Sequence, residues 1–297
     1  MASIISVIMP VRNVAQYVHF AVESILNQSF KDFEFIILDD ASTDNTRLVL
    51  DEIRDSRIVR INNENQTGNY KCRNQGLCIA QGKYIAVMDG DDIAYFDRLQ
   101  VQFEFMESNL QYLATGSNIE FFSDNNIQPY LSERIQDPEK NKVWLLKDNF
   151  FSHPTLFVRK KVFEYYKIRY SENYYYAADY DLILSISQVG NITNISKPLL
   201  RYRIHRNQIT ALKRQEQIMY ADQIRLKQLS FLRMRPSVEE MMVHLSLMKD
   251  YPIPELKLSL AEKWCNKLLM KNNRLKVYNQ EYLYEFLKER LMCAVIK

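Results

Sequence analysis

The segment "AVMDGDDIAYFD", residues 86–97, joins a short apolar run to a cluster of acidic residues. Its first three residues are a short apolar run of the kind that forms a buried strand. Three carboxylates follow within four positions, those of Asp89, Asp91 and Asp92. Like charges at such short range repel each other unless a positive group lies between them. This strand end therefore predicts a site for a cation.

Upstream of this segment, apolar runs alternate with helical patterns. The predicted strands are residues 4–9, 33–38, 57–61 and 83–88, with helices between them. Strands that alternate with helices over short loops indicate a parallel sheet with helices on both faces. Ligands bind such sheets beyond the carboxyl ends of the strands. Three polar strand ends should meet there: 10–13, 39–42 and 89–92.

The pattern changes after residue 110. Antiparallel strands are predicted at 112–122 and 126–131. A helix start is typical of Asp137 followed by Pro138, and another strand is predicted at 192–205. From residue 211 to 297 nearly everything has a helical pattern, which prolines divide into four segments. We expect an α/β domain over 1–210 and a helical extension over 211–297.

Composition is that of a globular protein, with 47% hydrophobic and 25% charged residues among 297. No apolar run is long enough for a membrane span, and the N-terminus lacks a basic leader, so a cytoplasmic location is expected. The four cysteines have no C-x-x-C spacing, which favours reduced thiols over a disulfide framework or a zinc site.

Charge is distributed unevenly along the chain. Residues 1–210 carry a net charge of −3 and residues 211–297 a net charge of +6. The last helix places Leu283, Phe286 and Leu287 on one apolar stripe. We expect this stripe to pack on its own domain or on a second copy of the chain in a homodimer. A third possibility, suggested by the basic charge, is a peripheral contact with the inner face of a membrane. These alternatives stay open, whereas nucleic acid is not an expected partner.

Common nucleotide motifs are missing or altered. There is no G-x-G-x-x-G. Residues 76–84, "GLCIAQGKY", resemble a P-loop, but five residues separate the glycines, and Tyr84 stands where a magnesium-binding Ser or Thr is required.

The D-G-D sequence at 89–91 fits a different kind of nucleotide site. A hard divalent cation takes oxygen ligands, and one or two carboxylates with phosphate oxygens are the usual set for Mg²⁺ or Mn²⁺. Gly90 between Asp89 and Asp91 lets a ligand approach closely. One carboxylate would hold the metal and the other a ribose hydroxyl. The alternative is structural, with Asp92 capping a turn ahead of the next helix.

A series of motifs along the sequence is more specific than the D-G-D sequence alone. The pieces are "SVIMPVRN" (6–13), "SILNQSFKDFEFIILDDASTDNT" (24–46), "NQTGNYKCRNQGLCIAQGKYIAVMDGDD" (65–92) and "FDRLQVQ" (96–102), followed by two weaker ones, 153–163 and 177–210. In order and spacing they resemble family 2 glycosyltransferases of the GT-A fold. The resemblance implies a Rossmann-like, mostly parallel sheet, with a nucleotide-binding half over 1–110 and an acceptor-binding half over 111–210.

The resemblance also implies roles for individual residues. The metal, Mn²⁺ or Mg²⁺, would be held by Asp91 in preference to Asp89, with His205 contacting the metal or the diphosphate. Asp179 would be the general base. The residues implied for the nucleotide-sugar are Pro10, Val11, Arg12, Asp39, Arg73, Asp89, Gly90 and Asp91. Further candidates for the acceptor or the diphosphate are His153, Asp181 and Arg203.

Three positions depart from the family pattern. Arg12 replaces a common Tyr, Ala41 replaces a common Gly, and Ala178 stands where a Glu often precedes the base. The last change keeps Asp181 as an alternative to Asp179.

The implied activity is metal-dependent, inverting transfer of a hexose or N-acetylhexosamine from a UDP-sugar to a glycan or lipid-linked acceptor, in surface polysaccharide or glycoconjugate biosynthesis. Two alternatives remain: a sugar nucleotidyltransferase, which needs a Gly-rich N-terminal loop that this chain lacks, and a non-catalytic glycan- or nucleotide-binding protein on the same fold.

Overall fold

A computed structural model describes residues 3–123, 128–206, 208 and 212–295. The chain forms two compact units. The first comprises Met1–Gln136 and Phe151–Leu212, and the second comprises Asp137–Phe150 and Lys213–Lys297. Residues 137–150, which the sequence pattern places with the α/β domain, thus belong to the helical unit. The expected boundary at residue 210 lies outside the described residues.

The first unit is built on one sheet with helices between its strands. The strands are β1 (Ile5–Val11), β2 (Phe33–Asp39), β3 (Ile58–Asn62), β4 (Tyr84–Val87), β5 (Ile93–Ala94), β6 (Tyr112–Phe122), β7 (Tyr130–Leu131), β8 (Phe157–Arg159) and β9 (Asn191–Arg203). The helices are α1 (Val18–Leu26), α2 (Thr46–Glu52), α3 (Asn69–Ile79), α4 (Arg98–Ser108), α6 (Lys161–Tyr165) and α7 (Ala178–Ser187).

The strand order is β3-β2-β1-β4-β8-β6-β9-β5, and β7 pairs with β6. Strands β1 to β4 are mutually parallel, as predicted. Beyond β4 the sheet is mixed, because β8 is antiparallel to both β4 and β6, whereas β6 and β9 run parallel. Every residue of β1 is buried, which explains its continuous apolar sequence. The predicted α/β class is confirmed.

The carboxyl ends of β1 and β2 lie side by side. Val11 pairs with Asp39 in the parallel register, and the Asp40 amide donates to the Val11 carbonyl at 2.9 Å. Just beyond these ends, Asn13 and Ala41 both have left-handed backbone, with φ of 51° and 55°. Ala41 therefore adopts a backbone conformation that costs an alanine more than it would cost a glycine.

The second unit is helical. Its helices are α5 (Pro138–Trp144), α8 (Arg214–Lys227), α9 (Val238–Met248), α10 (Leu258–Leu275) and α11 (Gln280–Val295). The predicted start of α5 is confirmed, because the Asp137 side chain accepts from the Lys140 amide and Pro138 opens the helix. No helix in the described part of the chain is long and apolar enough to cross a bilayer.

The apolar stripe of α11 packs within this unit. Leu283, Phe286 and Leu287 are buried in a core that also contains Trp264 of α10 and Val143 of α5. A stripe already covered by its own unit is not available to a membrane or to a second copy of the chain. The expectation of a membrane contact or homodimer through this stripe is therefore not supported.

Candidate active site

Asp89 follows β4 and meets a buried arginine from α3. Arg73 is 1% exposed, and its Nη2 donates to Asp89 Oδ1. Gly90 follows directly, and a Cβ atom there would lie only 2.7 Å from Val11 Cγ1. The glycine thus lets the D-G-D turn pack closely against the end of β1.

Besides Arg73, a second arginine lies close to the acidic cluster. Arg98, at the start of α4, is fully buried and donates to the Val87 carbonyl at 2.6 Å. Burial lowers the pKa of Arg98 to about 10, although the charges of Asp92 and Asp89 oppose that shift. Burial raises the pKa of Asp89, as does the charge of Asp91, while Arg73 acts to lower it. Arg73 and Arg98 therefore supply part of the positive charge that the clustered carboxylates are predicted to need.

Asp92 has a structural part in this cluster. It is buried, and its Oδ1 accepts from the Arg203 amide at 2.9 Å, which ties the D-G-D-D turn to the end of β9. Burial raises the pKa of Asp92 well above its usual value, and the neighbouring Asp91 and Asp89 add to the shift. The alternative role as a helix cap is wrong, because the residue preceding α4 is Asp97.

The end of β9 also brings a histidine to Asp91. His205 Nε2 lies 2.9 Å from Asp91 Oδ2. The Arg203 Nε donates to the Asp91 carbonyl at 2.9 Å, and its guanidinium lies 4.6 Å from the centre of the Tyr17 ring. The same Tyr17 ring lies 4.9 Å from the His205 ring. Three of the predicted residues, Asp91, Arg203 and His205, thus meet at one edge of the sheet.

The donor set at this edge fits a divalent cation. A carboxylate and an imidazole in contact are ligands that Mn²⁺ accepts, and Mg²⁺ binds through one or two carboxylates with substrate phosphates. Within the described residues no cluster of three or more His, Cys, Asp or Glu could enclose a metal. Asp89 is engaged by Arg73, so Asp91 and His205 are better placed than Asp89 to hold such a cation.

Asp39 lies at the end of β2 and is 1% exposed. Its Oδ2 accepts from Arg47 Nε and Nη2, at 2.9 and 2.7 Å, and its Oδ1 from the Ser42 amide at 3.2 Å. Arg12 turns toward the same loop, where its Nη1 donates to the Asp40 carbonyl at 2.6 Å. Pro10 and Val11 of β1 lie beside this pair in the sheet register. Four of the residues predicted for the nucleotide-sugar are therefore neighbours.

Asp40 was not among the predicted site residues. It is buried and accepts from the Thr67 and Gly68 amides at 2.7 and 2.8 Å. Although burial acts to raise it, the pKa of Asp40 is lowered by these hydrogen bonds. The carboxylate thereby fixes the loop that leads into α3. Arg73 lies on that helix.

Asp179 lies in the first turn of α7, whose N-cap is Ala177. Its Oδ1 accepts from the Tyr70 hydroxyl at 3.2 Å. Asp179 is partly exposed, whereas Asp181 is buried at 5% exposure. Of the two carboxylates, Asp179 is the more accessible to a substrate.

His153 opens a short 3₁₀ turn, and its Nε2 lies 2.9 Å from the Tyr170 hydroxyl. Burial lowers the pKa of His153 well below its usual value, and the nearby Arg73 cation adds to the shift. The imidazole is therefore neutral at physiological pH, and its observed partner is Tyr170.

The D-G-D turn and His205 lie together at one edge of the sheet, and the fold is the α/β fold that the sequence resemblance implied. The model of the family "Glycosyl transferase family 2" matches residues 6–167. The chain belongs to this family and is a glycosyltransferase.

Relatives among known proteins agree with this assignment. An uncharacterised glycosyltransferase from Methanocaldococcus jannaschii is 34% identical over 226 residues, which is 73% of this chain and 77% of that protein. The Escherichia coli enzyme WfaP, described as a UDP-Glc:alpha-D-GlcNAc-diphosphoundecaprenol beta-1,3-glucosyltransferase, is 32% identical over 216 residues, or 72% of this chain and 83% of WfaP.

Solved structures share the fold at low identity. Staphylococcus aureus TarS in complex with UDP-GlcNAc superposes with a TM-score of 0.63 at 15% identity, covering 99% of this chain and 89% of the TarS chain. The mannosyltransferase PcManGT from Pyrobaculum calidifontis, solved with GDP-Man and Mn²⁺, gives a TM-score of 0.57 at 15% identity, covering 100% and 87%.

Proposed function

We propose that this glycosyltransferase moves a hexose or N-acetylhexosamine from a UDP-sugar to a hydroxyl of a glycan or lipid-linked saccharide, with inversion at the anomeric carbon. The contact between His205 Nε2 and Asp91 Oδ2, beside the Arg73–Asp89 pair, carries the proposal. The donor and the acceptor class are supported by WfaP, whose name specifies UDP-Glc and a diphosphoundecaprenol-linked sugar.

The nucleotide would bind across the ends of β1 and β2. Asp39 Oδ2 is held by Arg47, whereas Oδ1 accepts from the Ser42 amide at 3.2 Å and has a second lone pair that would accept from the ring N–H of uracil. Arg12 would pack its planar guanidinium against the base. Such a site selects the base through one hydrogen bond and one planar contact.

Asp91 and His205 would hold the divalent cation, Mn²⁺ or Mg²⁺. When bound, the cation neutralises charge on the departing diphosphate. The chain's own contribution is to fix both ligands. Arg203 holds the Asp91 backbone, and the Asp92 carboxylate holds the Arg203 backbone.

Asp179 would act as the general base. Its carboxylate takes the proton of the acceptor hydroxyl as the hydroxyl oxygen attacks the anomeric carbon. The bond between that carbon and the diphosphate oxygen breaks on the opposite face, so the configuration inverts. UDP is a good leaving group, and the reaction needs no general acid.

A lipid-linked acceptor would be reached at a membrane. We therefore place the proposed reaction in the cytoplasm at the inner face of the membrane, where the acceptor's saccharide meets the UDP-sugar.

The test is a panel of nucleotide sugars incubated with the protein and lipid-linked or soluble saccharide acceptors, with and without Mn²⁺. We expect metal-dependent release of UDP with formation of a glycoside of inverted configuration. Asp91→Asn and Asp179→Asn should each lower turnover about 100-fold or more. Asp51→Asn is the matched control, because Asp51 is an exposed carboxylate on α2.

Other results would point elsewhere. Pyrophosphate formed from a nucleoside triphosphate and a sugar phosphate would indicate a nucleotidyltransferase. Binding of UDP-sugar with no turnover across the panel would indicate a non-catalytic protein.

A further inference from the structure

Tyr70 is the hydrogen-bond partner that α3 offers to Asp179. Its hydroxyl lies 3.2 Å from Asp179 Oδ1, although 109 residues separate the two along the chain. Burial raises the pKa of Tyr70 well above its usual value, and the charge of Asp179 adds to the shift. The phenol therefore stays protonated, and its O–H donates a hydrogen bond to the carboxylate.

The ring of Tyr70 is itself held in place. It stacks on the ring of Tyr170, with centroids 5.5 Å apart and planes inclined by 22°. The Tyr170 backbone is fixed to α3, because its amide donates to Asn74 Oδ1 at 3.0 Å and its carbonyl accepts from Asn74 Nδ2 at 2.9 Å. A ring restrained in this way presents its hydroxyl in one direction.

Tyr70 is also tied to the donor side of the site through its own helix. Arg73 lies three residues further along α3, and residues three apart share one face of a helix. Arg73 binds Asp89, the first aspartate of the D-G-D turn. One turn of α3 therefore contacts both Asp179 and Asp89.

We propose that Tyr70 is a positioning residue that orients the Asp179 carboxylate, and that its place one turn from Arg73 on α3 sets the spacing between this carboxylate and Asp89. The inference rests on the proposed role of Asp179 as the general base. In that role the direction of its oxygens matters, since a reacting group displaced by about 1 Å can cost up to about 100-fold in rate.

A second contact between the same segments provides a control. Lys71 Nζ lies 3.1 Å from Glu172 Oε2, so α3 is also joined to the segment before α7 by an exposed ion pair. If α3 acted only by bracing that segment, loss of this ion pair would resemble loss of the Tyr70 hydroxyl.

The test compares Tyr70→Phe with Lys71→Ala and Tyr165→Phe in the transfer assay. Tyr70→Phe keeps the stacked ring and removes only the hydroxyl, while Tyr165 is 79% exposed and serves as a matched substitution. We expect Tyr70→Phe to lower kcat about 10-fold, with the KM for the UDP-sugar within about twofold of wild type and the melting temperature within about 2 °C. Both controls should retain wild-type kcat and KM.

The inference is overturned if Tyr70→Phe retains wild-type kcat, if its defect is in the donor KM, or if Lys71→Ala lowers kcat equally. Asp179→Asn in the same assay separates this failure from failure of the proposed function. An inactive Asp179→Asn with a fully active Tyr70→Phe contradicts only the role of Tyr70. A fully active Asp179→Asn contradicts the general base and, with it, the inference.

Discussion

His205 Nε2 lies 2.9 Å from Asp91 Oδ2, and this contact joins residues that are 114 positions apart. The histidine follows β9 and the aspartate follows β4, and Arg203 and Asp92 lock the two strand ends together. The protein's own contacts hold the two side chains next to each other, so loss of either should act on metal affinity directly.

We expect His205→Ala to weaken Mn²⁺ binding by about 10-fold or more, because substitutions around protein metal sites typically cost about 10- to 100-fold. Isothermal titration of Mn²⁺ in the presence of UDP measures this. His19→Ala is the control, since His19 is an exposed histidine on α1 that pairs with Glu23. Equal Mn²⁺ affinity in wild type and His205→Ala would exclude His205 as a ligand.

Gly90→Ala should damage the turn that carries the D-G-D motif. The new Cβ would lie 2.7 Å from Val11 Cγ1, and both residues are packed in the interior. Overpacking of this kind costs about 1–3 kcal/mol. We expect a lower melting temperature and weaker UDP binding, measured by calorimetry. A wild-type melting temperature and a wild-type affinity for UDP would show that β1 and the turn can move apart to accommodate the extra methyl group without a loss of stability.

Asp40→Ala should loosen the loop ahead of α3. The substitution removes the acceptor of the Thr67 and Gly68 amides, and the buried Gly68 amide left without a partner costs about 1–3 kcal/mol. We expect a clear fall in melting temperature and weaker binding of UDP, because Arg73 follows this loop. Asp44→Ala provides a comparison, since Asp44 accepts from Thr46 at a more exposed position. A melting temperature equal to wild type in Asp40→Ala would contradict the assigned role.

The stability of the helical unit should depend on pH through His244. This histidine is fully buried, and burial lowers its pKa to about 4, from 6.5 when exposed. Between these values the unfolded state binds more protons than the folded state, so the free energy of unfolding falls as pH drops from about 6.5 toward 4. The expected loss is about 3 kcal/mol.

Urea unfolding followed by tryptophan fluorescence can test this prediction. Both tryptophans of the chain, Trp144 and Trp264, belong to the helical unit, and Trp264 Nε1 donates to His244 Nδ1 at 3.3 Å. His244→Gln keeps an acceptor but does not titrate, so its unfolding free energy should change less across this pH range. An identical pH dependence in the variant would assign the effect to other groups.

The sequence predicts the parallel part of the sheet, β1 to β4, well. Strands β1, β2 and β4 are buried on both faces, so they appear as continuous apolar runs, and their polar ends mark the site edge. Strand β5 is too short, at two residues, to leave a pattern. Residues 137–150 have an ordinary amphipathic pattern, which does not reveal that they pack with distant helices.

The candidate site is predictable in its motifs and not in its contacts. Arg98 and Tyr70 resemble ordinary helix-surface residues in the sequence, because nothing local indicates that one is buried under the D-G-D turn and the other faces Asp179. Their roles depend on packing between segments far apart in the chain. A clustered carboxylate motif does signal that compensating cations must lie nearby, and this signal could have directed attention to Arg98 in "FDRLQVQ".

The most direct test of the proposed function is a crystal structure of the protein with UDP and Mn²⁺, with the ion located by anomalous scattering. We predict one manganese ion bound by the Asp91 carboxylate and His205 Nε2 and by oxygens of both phosphates. A UDP complex in which Asp91 and His205 remain paired only with each other, and the manganese is absent or bound elsewhere, would contradict the account.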